Sequence, residues 1–271
     1  MSRRVLITGA GSGLGRELAL AYARRGDCVA VVDIRLERAN ETCALLAAGE
    51  RPHLALAADV GSDASMLALR ESIEQHWDGL EILVNNAGVA SGGAVWQTET
   101  LEWERVNNVN LMGVVRGCNL FVPLLLRRSG GLVINTASFA GLAGAPELGA
   151  YGVSKAAVVA LSEGLRAELH PHGARVSVLC PSFFQTRLTE SCAPGQERIR
   201  DLADRMMSKG PLSAEQVAAF TIKFSEKGRF LLLPHRDTRY LWWLKRHWPG
   251  AYFSAILRFA SRVLGDEKPG A

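Results

Sequence analysis

The chain is expected to adopt a doubly wound α/β fold, a mostly parallel sheet of seven strands with helices on both faces. Three observations carry that expectation. Short runs of Val, Ile and Leu recur along the chain, longer amphipathic segments separate them, and the two kinds alternate strictly through the first half. Near-continuous apolar runs are what strands buried on both faces require, and such strands belong to parallel sheets covered by helices. Strict alternation of strand and helix then winds the sheet outward in two directions.

Taken in order, the strands are expected at Val5–Thr8, Val29–Asp33, Leu54–Ala57, Ile82–Asn85, Leu132–Asn135 and Arg175–Leu179. The helices between them are expected near Leu14–Arg25, Leu36–Ala48, Ala64–Trp77, Leu101–Arg128 and Ala150–His170. A helix at Ala214–Phe224 leads to a seventh run, Phe230–Leu233, placed to close the sheet. Pro181–Ser213, with scattered Pro, Gly and Ser and weak periodicity, reads as a long functional loop holding a short helix near Glu197–Met207. Residues 1–235 form the main unit and 236–271 a basic, aromatic-rich extension.

With 48% hydrophobic and 21% charged residues in 271, the chain has ample material for a core. Its five cysteines are odd in number and lack CxxC spacing, which argues against a disulfide framework and a metal cluster. A reducing, cytoplasmic setting is the expectation. The N-terminus enters the first strand directly, and no stretch was expected to approach the roughly 20 apolar residues of a membrane span. Eight of the basic residues and only three acidic ones lie from Gly228 onward, so the net charge of +4 belongs to the tail. No basic face with a reading motif appears, and nucleic acid is not an expected partner.

The chemistry begins at Thr8-Gly9-Ala10-Gly11-Ser12-Gly13-Leu14-Gly15, directly after the first strand and opening the first helix. A turn this tight needs glycines without a Cβ to block a pyrophosphate, and the helix N-terminus offers free N–H groups to it. The second strand ends at Asp33, eighteen residues beyond Gly15, where a carboxylate accepts both ribose hydroxyls of NAD and repels the 2′-phosphate of NADP. NAD is therefore preferred, with NADP the alternative because Arg35 lies two residues on. Asp33 could also serve as a helix N-cap.

Tyr151 and Lys155, four apart on a helix, share a face. A phenol with a pKa near 10 becomes a usable base only if a neighbouring ammonium favours the phenolate, and a drop of about 3 units takes roughly 4 kcal/mol. Ser138 could hold the reacting oxygen while Tyr151 exchanges its proton. Spacing alone does not separate this reading from an ordinary solvated helix face.

The order TGAGSGLG, then Asn85-Asn86-Ala87-Gly88, Asn110, Ser138 and Tyr151-x-x-x-Lys155 resembles the short-chain dehydrogenase/reductase family in its compact single-domain branch, over about residues 3–234. The resemblance implies a Rossmann-type fold and an NAD(P)-dependent oxidoreductase that interconverts a secondary alcohol and a ketone. It implies that Gly9, Ser12, Gly13, Leu14 and Gly15 hold the phosphates, that Asp33 selects the adenosine ribose, and that Asp59 and Val60 lie against the adenine. Asn86, Ala87 and Gly88 would support the central strand and the cofactor ribose, while Pro181 and Thr186 would lie by the carboxamide. Tyr151 would be the acid/base, Lys155 would lower its pKa and hold the nicotinamide ribose, Ser138 would orient the substrate oxygen, and Asn110 would fix a relay water. The chain departs from the family at Ser182, where glycine usually follows the proline. The Tyr-x-x-x-Lys spacing argues against the family's enoyl reductases. A homodimer or homotetramer, joined through Leu101–Arg128 and Ala150–His170, is the implied assembly.

Phe183, Phe184, Leu188, Met206, Met207 and Trp96 suggest walls for a lipophilic alcohol or ketone, or else simply pack the loop down. The tail, with Tyr240 to Trp248, a Pro249-Gly250 break and an amphipathic segment Ala251–Leu264, is open to three roles: lid, subunit contact or peripheral membrane contact. Two rival functions remain at this level. One is a nucleotide-binding regulatory or structural protein without turnover; the other is an isomerase or dehydratase that uses the nicotinamide transiently.

Overall fold

The structure is a computed structural model and describes residues 2–264. Seven strands, β1 (Arg4–Thr8), β2 (Cys28–Asp33), β3 (Leu54–Ala57), β4 (Ile82–Asn85), β5 (Leu132–Thr136), β6 (Arg175–Leu179) and β7 (Leu231–Leu232), form one sheet in the order β3-β2-β1-β4-β5-β6-β7. Every neighbouring pair is parallel. Winding reverses between β1 and β4, and in open α/β sheets the carboxyl ends of the strands at such a switch form a crevice for ligands.

Alternation along each strand sends side chains to two separate cores. Val5 and Ile7 of β1 join Val29 and Val31 of β2 beneath α1 (Gly13–Ala23), α2 (Leu36–Ala44) and α9 (Ala214–Ser225). Leu6, Ala30, Val32 and Leu83 face the other way, onto α3 (Asp63–His76) and α5 (Gly113–Leu125). Beside them α7 (Gly149–Leu169) adds Val158 to a third cluster with Val178 and Cys180. Both faces of the sheet are covered, as the apolar runs predict.

Several boundaries differ from expectation for physical reasons. The single helix expected at Leu101–Arg128 is α4 (Thr100–Asn107), a π-turn (Asn108–Met112) and α5 in unbroken succession. Together they make a helix, Thr100–Leu125, long and apolar enough by composition to cross a membrane, contrary to the sequence expectation. One side of it enters the core, with Asn110 fully buried and Phe121, Leu124 and Leu125 packed under the sheet. The tail divides at Trp248, next to the expected Pro249-Gly250 break, and the pair itself opens α11 (Pro249–Leu264), because proline at the first helical position lacks only an N–H that would have no helical partner. Preceding it is α10 (Arg236–His247). Two further helices are α6 (Ala140–Ala143), absent from the sequence reading, and α8 (Glu197–Ser208) within the long loop.

Candidate active site

The glycine turn sits at the carboxyl end of β1. Gly9 and Gly13 hold φ of +64° and +52°, a region costly for side-chain-bearing residues. A Cβ on Gly9 would lie 2.8 Å from the Ala87 Cα, and one on Gly15 would lie 2.3 Å from the Gly9 carbonyl oxygen and 2.7 Å from Asn86 Nδ2. The first helical bond of α1 runs from Arg16 N to the Ser12 carbonyl at 3.1 Å, so the N–H groups of Gly13, Leu14 and Gly15 point out of the helix end. Leu14 enters this site by its backbone alone, since its side chain is in the core. Ser12 occupies the N-cap position without a side-chain cap bond. We expect Gly15→Ala to cost roughly 1–3 kcal/mol through overpacking, lowering the thermal midpoint by several degrees. An unchanged calorimetric transition would refute this account of the turn.

Asn86 braces the turn. Its Nδ2 donates to the carbonyls of Thr8 (3.1 Å) and Gly9 (3.3 Å), and Thr8 Oγ1 accepts from the N–H groups of Asn86 (3.0 Å) and Ala87 (3.1 Å). Asp33, buried at the end of β2, accepts from Gly11 N at 3.0 Å and Arg35 N at 3.1 Å. It does not cap α2, whose N-cap is Arg35; the carboxylate is held over the glycine turn instead. Asp59 Oδ1 accepts from Gly61 N at 2.8 Å and shapes the loop after β3, while Val60 is buried against Gly113.

At the carboxyl end of β5, Ser138 faces the first turns of α7. Tyr151 is half-buried with its hydroxyl near that of Ser138, while Lys155 is buried and donates from Nζ to the Thr136 carbonyl at 3.0 Å. The ammonium lies 5.9 Å from the centre of the Tyr151 ring. The electrostatics differ from the sequence expectation. Burial raises the Tyr151 pKa, outweighing the Ser138 hydrogen bond that favours the phenolate. Burial likewise pushes Lys155 down to about 8, against a weaker opposing effect of Cys180. Desolvation is thus the largest cause at both groups.

Asn110, placed by the π-turn, uses both amide hydrogens, on the Val89 carbonyl (3.0 Å) and Ser154 Oγ (3.2 Å), and its Oδ1 accepts from Val89 N at 2.8 Å. One Oδ1 lone pair is left over. Gly88 lies between this oxygen and Lys155: a Cβ there would stand 3.0 Å from Asn110 Oδ1 and 3.2 Å from Lys155 Nζ.

The loop after β6 folds back across the glycine turn. The Pro181 carbonyl accepts from Phe139 N at 2.9 Å, and a Cβ on Gly13 would lie 3.5 Å from Thr186 Cβ. Ser182, the departure from the family pattern, donates its N–H to His235 Nδ1 at 3.2 Å, so a buried histidine anchors the loop. Of the apolar side chains suggested as substrate walls, Phe184 belongs to the core beneath α1 and Trp96 is 73% exposed, whereas Phe183, Leu188 and Met206 are half-buried. Gln196 fastens the loop to the opposite side, accepting from Gly92 N (3.1 Å) and donating to Ser91 Oγ (3.3 Å) and Glu102 Oε1 (3.1 Å).

Sequence reasoning missed Thr8, Gly11, Ser154, Gln196 and His235. Thr8 and Gly11 stand inside the motif already singled out, and Ser154 lies between Tyr151 and Lys155, so their positions could have flagged them. Gln196 and His235 offer no local signal, because only the tertiary fold brings them to the site.

Residues 3–197 match the family model for short chain dehydrogenase. The chain is 36% identical over 223 residues to the probable oxidoreductase EphD of Mycobacterium tuberculosis, a match covering 79% of this chain but only 38% of that much longer protein. It is 32% identical over 208 residues to 2-(S)-hydroxypropyl-CoM dehydrogenase 3 of Xanthobacter autotrophicus, covering 77% of this chain and 82% of that protein. A short chain dehydrogenase/reductase of Burkholderia phymatum, solved in complex with NAD, superposes with a TM-score of 0.85 at 31% identity, covering 90% of this chain and 93% of that one. With most of its length matched in sequence and in fold, the chain belongs to the short-chain dehydrogenase/reductase family of oxidoreductases.

Proposed function

We propose that the protein interconverts a lipophilic secondary alcohol and its ketone, using NAD(H) in preference to NADP(H). The observation that carries this reading is the convergence of Ser138, Tyr151, Lys155 and Asn110 beside a glycine turn that side chains would fill. The residues present fit a dinucleotide. The cleared turn and outward N–H groups of α1 suit a pyrophosphate. Asp33, whose two oxygens each keep a free lone pair, suits a ribose diol and opposes a 2′-phosphate. When bound, the nicotinamide supplies the hydride acceptor for the alcohol carbon or the hydride donor for the ketone.

The chain's own residues handle the proton. Tyr151 takes the hydroxyl proton in the oxidising direction and returns it to the carbonyl oxygen in the reducing one. Ser138, within reach of the same phenol, donates to the reacting oxygen. Lys155 stabilises the phenolate when charge develops there, and Gly88, which brings no side chain, lies between its ammonium and Asn110 Oδ1. Half-buried Phe183, Leu188 and Met206 on the covering loop, with Ile199 seated over Gly92, favour an apolar substrate body.

The test is a panel of polycyclic, long-chain and polyhydroxylated secondary alcohols with their ketones, assayed with both coenzymes by nicotinamide absorbance. The expected result is net coenzyme turnover, faster with NAD(H) and with the lipophilic substrates. Faster turnover of polyols would refute the substrate class, and the absence of net coenzyme change with every pair would refute the reaction.

A further inference from the structure

The last two helices form a hairpin with unlike faces. The inner face is tied to α6, the short helix that follows Ser138. Lys245 Nζ donates to the Leu142 carbonyl at 2.5 Å, the buried Tyr252 hydroxyl donates to the Ala143 carbonyl at 2.8 Å, and Leu241 and Trp242 pack on the cluster containing Leu142. These contacts hold the hairpin against the body beside α6.

The exposed surface of the hairpin carries both apolar and basic side chains, Arg236 and Arg246 beside the aromatic stripe of α10 and Arg258 and Arg262 on the side of α11 away from Phe253 and Leu257. Tyr240 and Trp243 on α10, Trp248 just after it, and Phe253, Leu257 and Phe259 on α11 are 45–61% exposed. At 100° per residue Tyr240, Trp243 and His247 fall in one stripe. Their rings are ordered against each other, Trp243 lying 6.2 Å from Tyr240, 5.2 Å from His247 and 4.9 Å from Trp248. Residues 236–264 hold six basic side chains and one acidic one. Most arginines of the main body are tied to carboxylates, as Arg16 is to Glu41, Arg70 to Glu74 and Arg116 to Asp63. Exposed Arg236, Arg246, Arg258 and Arg262 form no ion pair among the described residues.

We propose that this outer face is a docking surface for an anionic lipid bilayer, with both helices lying in the headgroup plane. Tryptophan and tyrosine rings favour that level, phenylalanine and leucine reach toward the acyl chains, and guanidinium groups meet lipid phosphates. At 12 and 16 residues the helices are too short to span, and their amphipathic patterning suits lying flat. Charge favours lipid over a second copy of this chain: a two-fold pairing through this patch would bring the same unpaired arginines against each other.

The experiment is co-sedimentation of the full chain with vesicles of phosphatidylcholine alone and of phosphatidylcholine mixed with phosphatidylglycerol. Binding to the mixed vesicles is expected to be about tenfold stronger and to weaken as salt rises. A charge-reversal variant (R246E/R258E/R262E) and an aromatic variant (W243S/W248S/F253S) should each lose about tenfold in vesicle binding. Their thermal midpoints should stay those of the wild type, a control that holds whether or not the proposed reaction is correct. Equal sedimentation of the wild type and both variants would overturn the proposal. So would a wild type that ignores vesicles but dissociates to a smaller species on charge reversal, which would assign the face to a second copy.

Discussion

Tyr151→Phe should lower turnover by about two to four orders of magnitude while leaving the fold and nucleotide affinity intact. The substitution keeps the ring that packs at the start of α7 and removes only the hydroxyl facing Ser138. Nothing else in the site can replace that hydroxyl as the proton carrier: Ser138 is a weaker acid, Asn110 has both amide hydrogens committed, and Lys155 lies behind the ring with its ammonium on the Thr136 carbonyl. Steady-state assay together with nucleotide titration by protein fluorescence checks the split. Full turnover in the variant would remove the mechanism. Loss of turnover with normal nucleotide binding would set aside the rival reading of a binding protein without catalysis, since such a protein has no rate to lose.

Lys155→Met should abolish turnover and at the same time stabilise the protein near neutral pH. Burial holds the Lys155 pKa at about 8, below its ordinary value of 10.5. Below pH 8 both the folded and unfolded states carry the proton, and the folded state bears the full cost of a buried ammonium. Between about 8 and 10.5 the unfolded chain binds more protons, so wild-type stability rises with pH through that window. The cost at pH 7 is roughly 3 kcal/mol, and losing the hydrogen bond to Thr136 offsets about 1 of it. A net gain of about 2 kcal/mol amounts to several degrees in thermal midpoint. Calorimetry should show the variant melting above the wild type at pH 7, with the gap narrowing by pH 10. A variant that melts lower at pH 7 would mean that the ammonium is satisfied where it lies, and that the fold gives up no stability to hold it.

The parts of this protein legible in its sequence are those determined by local pattern. Val5–Ile7 and Val29–Val32 are short apolar runs bounded by turn residues, as strands buried on both faces are, and the glycine turn follows β1 at the spacing that a helix N-terminus requires. Tyr151 and Lys155 are neighbours by helical geometry alone. What sequence could not reveal depends on depth and on distant partners. The π-turn at Asn108–Met112 shares the apolar content of the helices on either side, so periodicity runs straight through it. The four residues of α6 are too few to show a period, and the segment is held by Lys245 and Tyr252, about a hundred residues away. The direction of the Tyr151 and Lys155 shifts is also a property of burial: spacing places the two groups close, but the surrounding core decides how each titrates.

The glycine at position 88 has a consequence for how closely the centre is spaced. A Cβ there would lie 3.0 Å from an amide oxygen, Asn110 Oδ1, and 3.2 Å from the Lys155 ammonium. Both distances are shorter than a carbon comfortably keeps, so even alanine would push one of these groups aside. The proposed proton carriers thus owe their separation to a residue that contributes no side chain at all.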